Sequence, residues 1–173
     1  MQSCSSSSPF TDKELKWFKP FSKIDTSVFI TDGGLSDTVI FYGIDTTIFK
    51  TRNLEQGFRN EKTLKVTYAL TKNSYHKFIS LTVKDEPEKF ISVTDEDNWT
   101  KPSIEICFLG SIYDNTFVDK IGDDTNKIVH FDEASANYKG VNIVEGIKSF
   151  EFDFKNGVVS FVDKFDRKWR LKK

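Results

Sequence analysis

The sequence predicts an all-β protein: an antiparallel β-sandwich or barrel of roughly ten strands, preceded by a short N-terminal helix. Three observations carry that prediction. Apolar residues recur with a period of two, most cleanly where Leu64, Val66, Tyr68 and Leu70 alternate with Lys65, Thr67 and Ala69. Turn-forming stretches, Asp32-Gly33-Gly34 and Asn156-Gly157 among them, separate the alternating runs. Phe supplies 17 of the 173 residues, and Phe suits a pleated, half-buried surface better than a loop.

The first ten residues, MQSCSSSSPF, cannot contribute to such a core. Ser5 to Ser8 form a flexible run, so residues 1–10 are expected to be a tether and 11–173 a single β domain. At Thr11 the pattern changes. Thr11 followed by Glu14 is a capping box, and Asp12 and Glu14 complement the positive end of a helix dipole. The helix is expected to end at Pro20, because a proline pushes the preceding residue out of the helical region. Leu15 and Phe18 share a face that would lie on the sheet that follows.

From Asp25 the strands succeed one another: TSVFI, DTVIFYG, IDTTIFK and TLKVTYAL. YHKFISLTV, EKFISVT after Pro87, and IEICFL continue the series, the last with Ile104, Ile106 and Phe108 on one face. Residues 111–140 are irregular, and only KIVHF there reads as a strand. Near the C-terminus Phe150, Phe152 and Phe154 alternate with polar residues, and Asn156-Gly157 predicts a two-residue type I′ hairpin. Trp169 and Leu171 point inward and Lys168 and Arg170 outward in the last strand.

Composition narrows the function. A net charge of −1, with more Lys than Arg, lacks the basic excess that nucleic acid requires. No apolar run approaches the ~20 residues of a spanning helix. Residues 1–10 contain no Leu, Ile or Val, so a secretory signal, if one directs the protein, lies upstream of this numbering. Cys4 and Cys107 are not expected to form a disulfide, because nothing in the serine run favours packing along the Cys107 strand. Cys107 reads as a small hydrophobe.

No catalytic constellation is recognisable. His76 and His130 are isolated from each other and from cysteine, which leaves metal sites without a ligand set. There is no nucleophile elbow and no glycine-rich phosphate loop, so neither enzyme nor cofactor is expected. The acidic groups Asp95, Glu96 and Asp97, and Asp123 with Asp124, read as solvated turns rather than calcium loops. The C-terminal DRKWRLKK admits two readings, contact with anionic lipid headgroups or an outward-facing strand whose charges blunt a sheet edge. The edge reading is the simpler.

Cys4 is the one residue that asks for a function. A cysteine followed by a serine-rich tether and a structured body is the arrangement of a mature bacterial lipoprotein, with Ser3 the small residue before the acylated position. Two readings remain open: a precursor that begins upstream of Met1 and is acylated at Cys4, or a chain that begins at Met1 with Cys4 an ordinary tail thiol. The stretch CSSSSPFTDKELKWFKPF leading to DTVIF, with the closing FKNGVVSFVDKFDRKWRL, resembles small, functionally uncharacterised lipoproteins of Gram-negative bacteria. Their domains often end in a hairpin with Gly, a hydrophobic strand, a turn and W-x-L; here Phe165-Asp166 stands where Gly is common, so that turn is expected to differ. The resemblance implies a lipid-anchored place in the bacterial cell envelope, at the periplasm or cell surface, and implies no activity.

The functional expectation is therefore a non-enzymatic, lipid-anchored binding or protective module. Its partners would be the membrane, through an N-terminal lipid, and a protein. A sharper form is an immunity protein against a delivered toxin. The rival is a lipocalin-like carrier, which requires a closed barrel with an apolar cavity of at least ~300 Å³ among the Phe side chains.

Overall fold

Thr11 starts the fold as the sequence predicts. Its amide donates to Glu14 Oε2 at 2.8 Å and its hydroxyl oxygen accepts from the Lys13 amide, completing the capping box. The computed structural model describes residues 10–53, 57–70, 88–96, 101–114, 118–121, 124–132, 138–139 and 147–172. The tether, Cys4, His76, Asp97, Asp123 and the expected strand YHKFISLTV lie outside the described residues.

Helix α1 (Asp12–Leu15) is a single turn that tightens into a 3₁₀ helix over Lys16–Phe21. Pro20 does not end the segment but sits within it. The φ near −60° of a 3₁₀ helix is the angle a proline ring imposes, and a missing amide near the end of so short a helix removes little. The segment buries more than the expected stripe: Trp17, Phe18 and Phe21 are each 2% exposed or less. Instead of covering the sheet from outside, it fills the sheet's concave side. The ring centroid of Trp17 stands 4.7 Å from that of Phe154 and 5.3 Å from Phe152, and Phe21 lies 5.1 Å from Phe41 and 5.4 Å from Phe90.

The sheet contains β1 (Asp25–Thr31), β2 (Ser36–Phe41), β3 (Asp45–Asn53), β4 (Gly57–Leu70), β5 (Glu88–Glu96) and β6 (Ser103–Phe108). Then follow β7 (Ser111–Tyr113), β8 (Ile128–Asp132), β9 (Tyr138–Lys139), β10 (Ile147–Asp153), β11 (Gly157–Asp163) and β12 (Lys168–Leu171). Among the described residues these form one sheet in the order β8-β10-β11-β12-β1-β2-β4-β5-β6-β7-β9, with β3 joined to β4. Every pairing is antiparallel. The sheet curls into a half-barrel rather than splitting into a sandwich. Its two ends approach across the core, where Tyr113 of β7 meets Phe131 of β8 at 4.9 Å and donates its hydroxyl to the Asp132 carbonyl at 2.8 Å.

The period-two pattern explains which residues look inward. Phe150 stacks on Phe131 at 4.3 Å and its register partner is Phe161, which in turn stacks on Trp169 at 5.7 Å. A bulge in β5 adds to this row. Val66 pairs with Ile91 and Thr67 with Lys89, so Phe90 is the extra residue. The bulge lets Phe90 and Ile91, neighbours in sequence, both reach zero exposure.

Four local expectations are corrected. The type I′ hairpin does not form at Asn156-Gly157. Gly157 has φ 78°, but Asn156 is not left-handed, and three residues separate the paired Asp153 and Gly157. The Asp153 carboxylate accounts for this, accepting from the amides of Lys155 (2.6 Å) and Asn156 (3.3 Å) and from Asn156 Nδ2 (2.9 Å). A tight two-residue loop with both φ positive occurs instead at Leu109 (44°) and Gly110 (90°), between the paired Phe108 and Ser111. Leu109 tolerates that conformation because its side chain is 6% exposed and its amide donates to the Tyr68 hydroxyl at 3.0 Å.

Second, residues 111–140 hold β7 and β9 as well as the expected β8. Third, Asp95 and Glu96 do not lie in a turn but extend β5 beside Lys62 and Glu61 of β4. Fourth, β12 is no edge: it runs between β11 and β1. Its outward cations make ion pairs, Arg170 with Asp32 in the turn after β1 and Lys168 with Glu151 of β10 at 4.0 Å. The preceding turn departs from glycine as expected, with Asp166 taking φ 63°, a conformation Asp tolerates better than most residues.

Gly157 fastens the β10–β11 turn to the 3₁₀ helix. A Cβ there would stand 3.1 Å from Phe21 Cζ and 3.5 Å from Pro20 Cβ, in a left-handed conformation besides. Gly157→Ala is expected to lower stability by about 1–3 kcal/mol, from backbone conformation and crowding together. A thermal melt checks this, and an unchanged midpoint would show that the turn does not bear on Phe21.

Candidate functional site

Among the described residues, those singled out in the sequence do not assemble into one place. Cys107 lies on the outward side of β6, half-buried, 3.5 Å from Glu105 Oε1, with Lys89 ion-paired to the same carboxylate. His130 is exposed on β8, opposite Glu151. β6 and β8 are not paired with each other, and both side chains point away from the interior. Asp95 belongs to β5, whereas Asp124 lies in the loop before β8, 3.5 Å from Lys127 and accepting from the Asn126 amide at 3.0 Å. Among the described residues no group of three or more His, Cys, Asp or Glu side chains could hold a metal ion. None of their helices is long and apolar enough to cross a membrane.

Burial pushes the Cys107 thiol up to about 12, with Glu105 adding to the shift and Lys89 opposing it. The thiolate is the reactive form, so Cys107 is close to inert at neutral pH. Its alkylation by iodoacetamide, followed by peptide mass spectrometry to separate it from Cys4, is expected to rise about tenfold per pH unit from about pH 7 to pH 10 without a plateau. Glu105→Gln removes a negative neighbour, favours the thiolate and should speed alkylation at fixed pH. A plateau reached above about pH 9 would show an unperturbed thiol.

A surface groove of about 460 Å³ lies at the N-terminal end of β1. Pro20 and the β10–β11 turn form one wall, and Asp25–Val28 of β1 with Leu171 and Lys172 form the other. The wall positions follow from the packing already described, since Gly157 places its turn directly against Pro20 and Phe21. Three ammonium groups line the groove, those of Lys23, Lys155 and Lys172. The one carboxylate in the groove, Asp25, accepts a hydrogen bond from Ser27 Oγ at 2.9 Å.

β12 pairs with β1 from Thr31 to Phe29, and the Lys172 amide donates to the Val28 carbonyl at 2.7 Å. In an antiparallel strand, amides and carbonyls two residues apart point to the same side. Thr26 therefore directs its N–H and C=O to the side on which Val28 meets Lys172, and no described strand lies beside it.

The sequence carried no signal for this groove, because Lys23, Lys155 and Lys172 are distant in the chain and meet only through the fold. The described interior is rich in aromatic contacts: Phe90 alone has Phe41, Tyr68, Phe108, Phe21 and Phe152 within 5.1–6.4 Å. No family model matches the chain, and no curated protein or solved structure matches it either.

Proposed function

We propose that this protein is a non-enzymatic binding module held at the bacterial cell envelope by a lipid on Cys4. The observation that carries the reading is the cysteine-serine tether set immediately before a self-supporting β body. Phe10, 4% exposed, is the first described core residue and stands six positions after Cys4. At about 3.5 Å per residue, those positions span at most ~20 Å, so an acylated Cys4 keeps the body close to the bilayer.

The absence of an enzyme belongs to the same proposal. Catalysis requires titratable groups within hydrogen-bond reach in a partly desolvated site. Cys107, His130, Asp95 and Asp124 are dispersed, and the thiol is held protonated. The aromatic contacts of the described interior favour this reading over that of a carrier.

Metabolic labelling of the full-length precursor with a palmitate analogue tests the anchor. Label on the wild-type chain in the membrane fraction, lost together with membrane association in Cys4→Ser, is the expected result. Labelling and fractionation unchanged in Cys4→Ser would overturn the proposal.

A further inference from the structure

We infer that the body makes a second, non-covalent contact with the membrane: the end of the half-barrel at which the tether joins rests on the headgroup layer of the bilayer, with Ile24, Ile48 and Ile128 as the inserting side chains. This rests on the reading of Cys4 as a lipid anchor and names the face that the anchor presents. Strand direction, exposure and chain length each bear on it.

Strand direction places the three isoleucines at one end. Neighbours in the order β8-β10-β11-β12-β1-β2-β4 are antiparallel, so β8, β11, β1 and β4 run the same way and begin at the same end of the sheet. Ile128 is the first residue of β8, and Ile24 immediately precedes β1. β3 runs back along β4 to that end, with Ile48 paired to Lys62. Phe10 arrives there too, its ring centroid 6.0 Å from the Lys62 ammonium.

Exposure distinguishes this end from the other. Among the described residues Ile24, Ile48 and Ile128 are the most exposed large apolar side chains, at 65%, 64% and 58%. At the opposite end Phe165 is 49% exposed, but the Lys164 ammonium and the Arg167 guanidinium cover its ring at 5.1 and 5.0 Å. Each isoleucine is accompanied by an exposed lysine: Lys23 beside Ile24, Lys50 two residues after Ile48, and Lys127 beside Ile128. A lysine at the rim of an apolar contact lays its stem along the interface and keeps its ammonium among lipid phosphates. That pairing suits a bilayer better than a second copy of the chain, because protein interfaces are depleted in lysine.

Chain length brings this end to the surface. Cys4 stands six positions before Phe10, at most ~20 Å at about 3.5 Å per residue. A contact tethered so closely is intramolecular and is populated even where the free face would bind weakly.

The test couples Cys4 of the full, ¹⁵N-labelled chain to a maleimide lipid in nanodiscs of phosphatidylcholine and phosphatidylglycerol in equal parts, doped with a gadolinium-headgroup lipid. Burial holds the Cys107 thiol protonated, so coupling at neutral pH selects Cys4. The Ile24, Ile48 and Ile128 amide resonances are expected to broaden most, and those of Gly34, Gly110 and Asp166 least. Replacing the three isoleucines together by Ser should reduce that contrast at least about fivefold, because it removes the apolar surface that inserts. All three are exposed, and unchanged resonances elsewhere would confirm that the fold is intact. A tether without a contact face gives a contrast that the triple variant leaves unchanged, and this result would overturn the inference. Broadening that is uniform, or greatest at Gly110, would do the same. Shifts of the three isoleucine amides with protein concentration in lipid-free solution would overturn it too, by showing that a second copy covers the face. The coupling is chemical and owes nothing to native acylation, so this result and the palmitate labelling of Cys4 succeed or fail separately.

Discussion

Asp163→Ala is expected to remove about 2–4 kcal/mol of folding stability, because it takes the shared acceptor from a half-buried guanidinium, a buried indole and two backbone amides. Asp163 is 2% exposed. Its Oδ2 accepts from Arg167 Nε at 2.6 Å and from the Trp169 indole at 3.0 Å, while Oδ1 accepts from the amides of Phe165 (2.9 Å) and Arg167 (3.0 Å). One carboxylate thus closes the β11–β12 turn and satisfies the indole of the tryptophan that stacks on Phe161. Asp163→Asn keeps the turn acceptor but presents its amide N–H groups to Arg167 and Trp169, so it should recover only part of the loss. Urea denaturation checks both variants. An Asp163→Ala cost below about 1 kcal/mol, the size of an exposed ion pair, would mean that water replaces the carboxylate.

Trp17→Ala is the second large expected effect, at about 3–5 kcal/mol. Trp17 has zero exposure and touches the rings of Phe131, Phe152 and Phe154, so its loss empties the space between the 3₁₀ helix and β8 and β10. The indole Nε1 has no hydrogen-bond partner among the described residues. An unsatisfied buried donor costs stability, so Trp17→Phe removes a penalty along with ring volume and should cost less than about 2 kcal/mol. The contrast distinguishes a core residue from a surface one. If the helical segment merely lay over the sheet, both variants would be mild and nearly equal.

These two residues show what the sequence made legible. Strand alternation identified the inward row, because a half-buried antiparallel strand writes its burial at every second position: Val66, Tyr68, Ile104, Ile106, Phe150, Phe152 and Trp169 all sit where that pattern puts them. The capping box fixed the start of α1. What could not be read was set by contacts distant in sequence. Leu109 is a poor turn former by itself and takes a left-handed conformation because Tyr68, from β4, holds its amide. Asn156-Gly157 is a strong hairpin signal that gives way to the Asp153 carboxylate three residues before Asn156. β12 looked like an edge because its outward face is cationic, and only its pairing with both β11 and β1 shows it to be internal. The lysines of the groove belong to the same class, brought together by the approach of Gly157 to Phe21.

The most direct test of the central claim, that a lipid on Cys4 holds this β body at the envelope, is the mass of the N-terminal peptide. The protein would be recovered from the membrane fraction of cells expressing the complete precursor and digested, and its N-terminal peptide measured intact. The account predicts a chain that begins at Cys4 and carries the mass of covalently attached acyl groups. A chain that begins at Met1 with an unmodified Cys4, recovered from the soluble fraction, would contradict it.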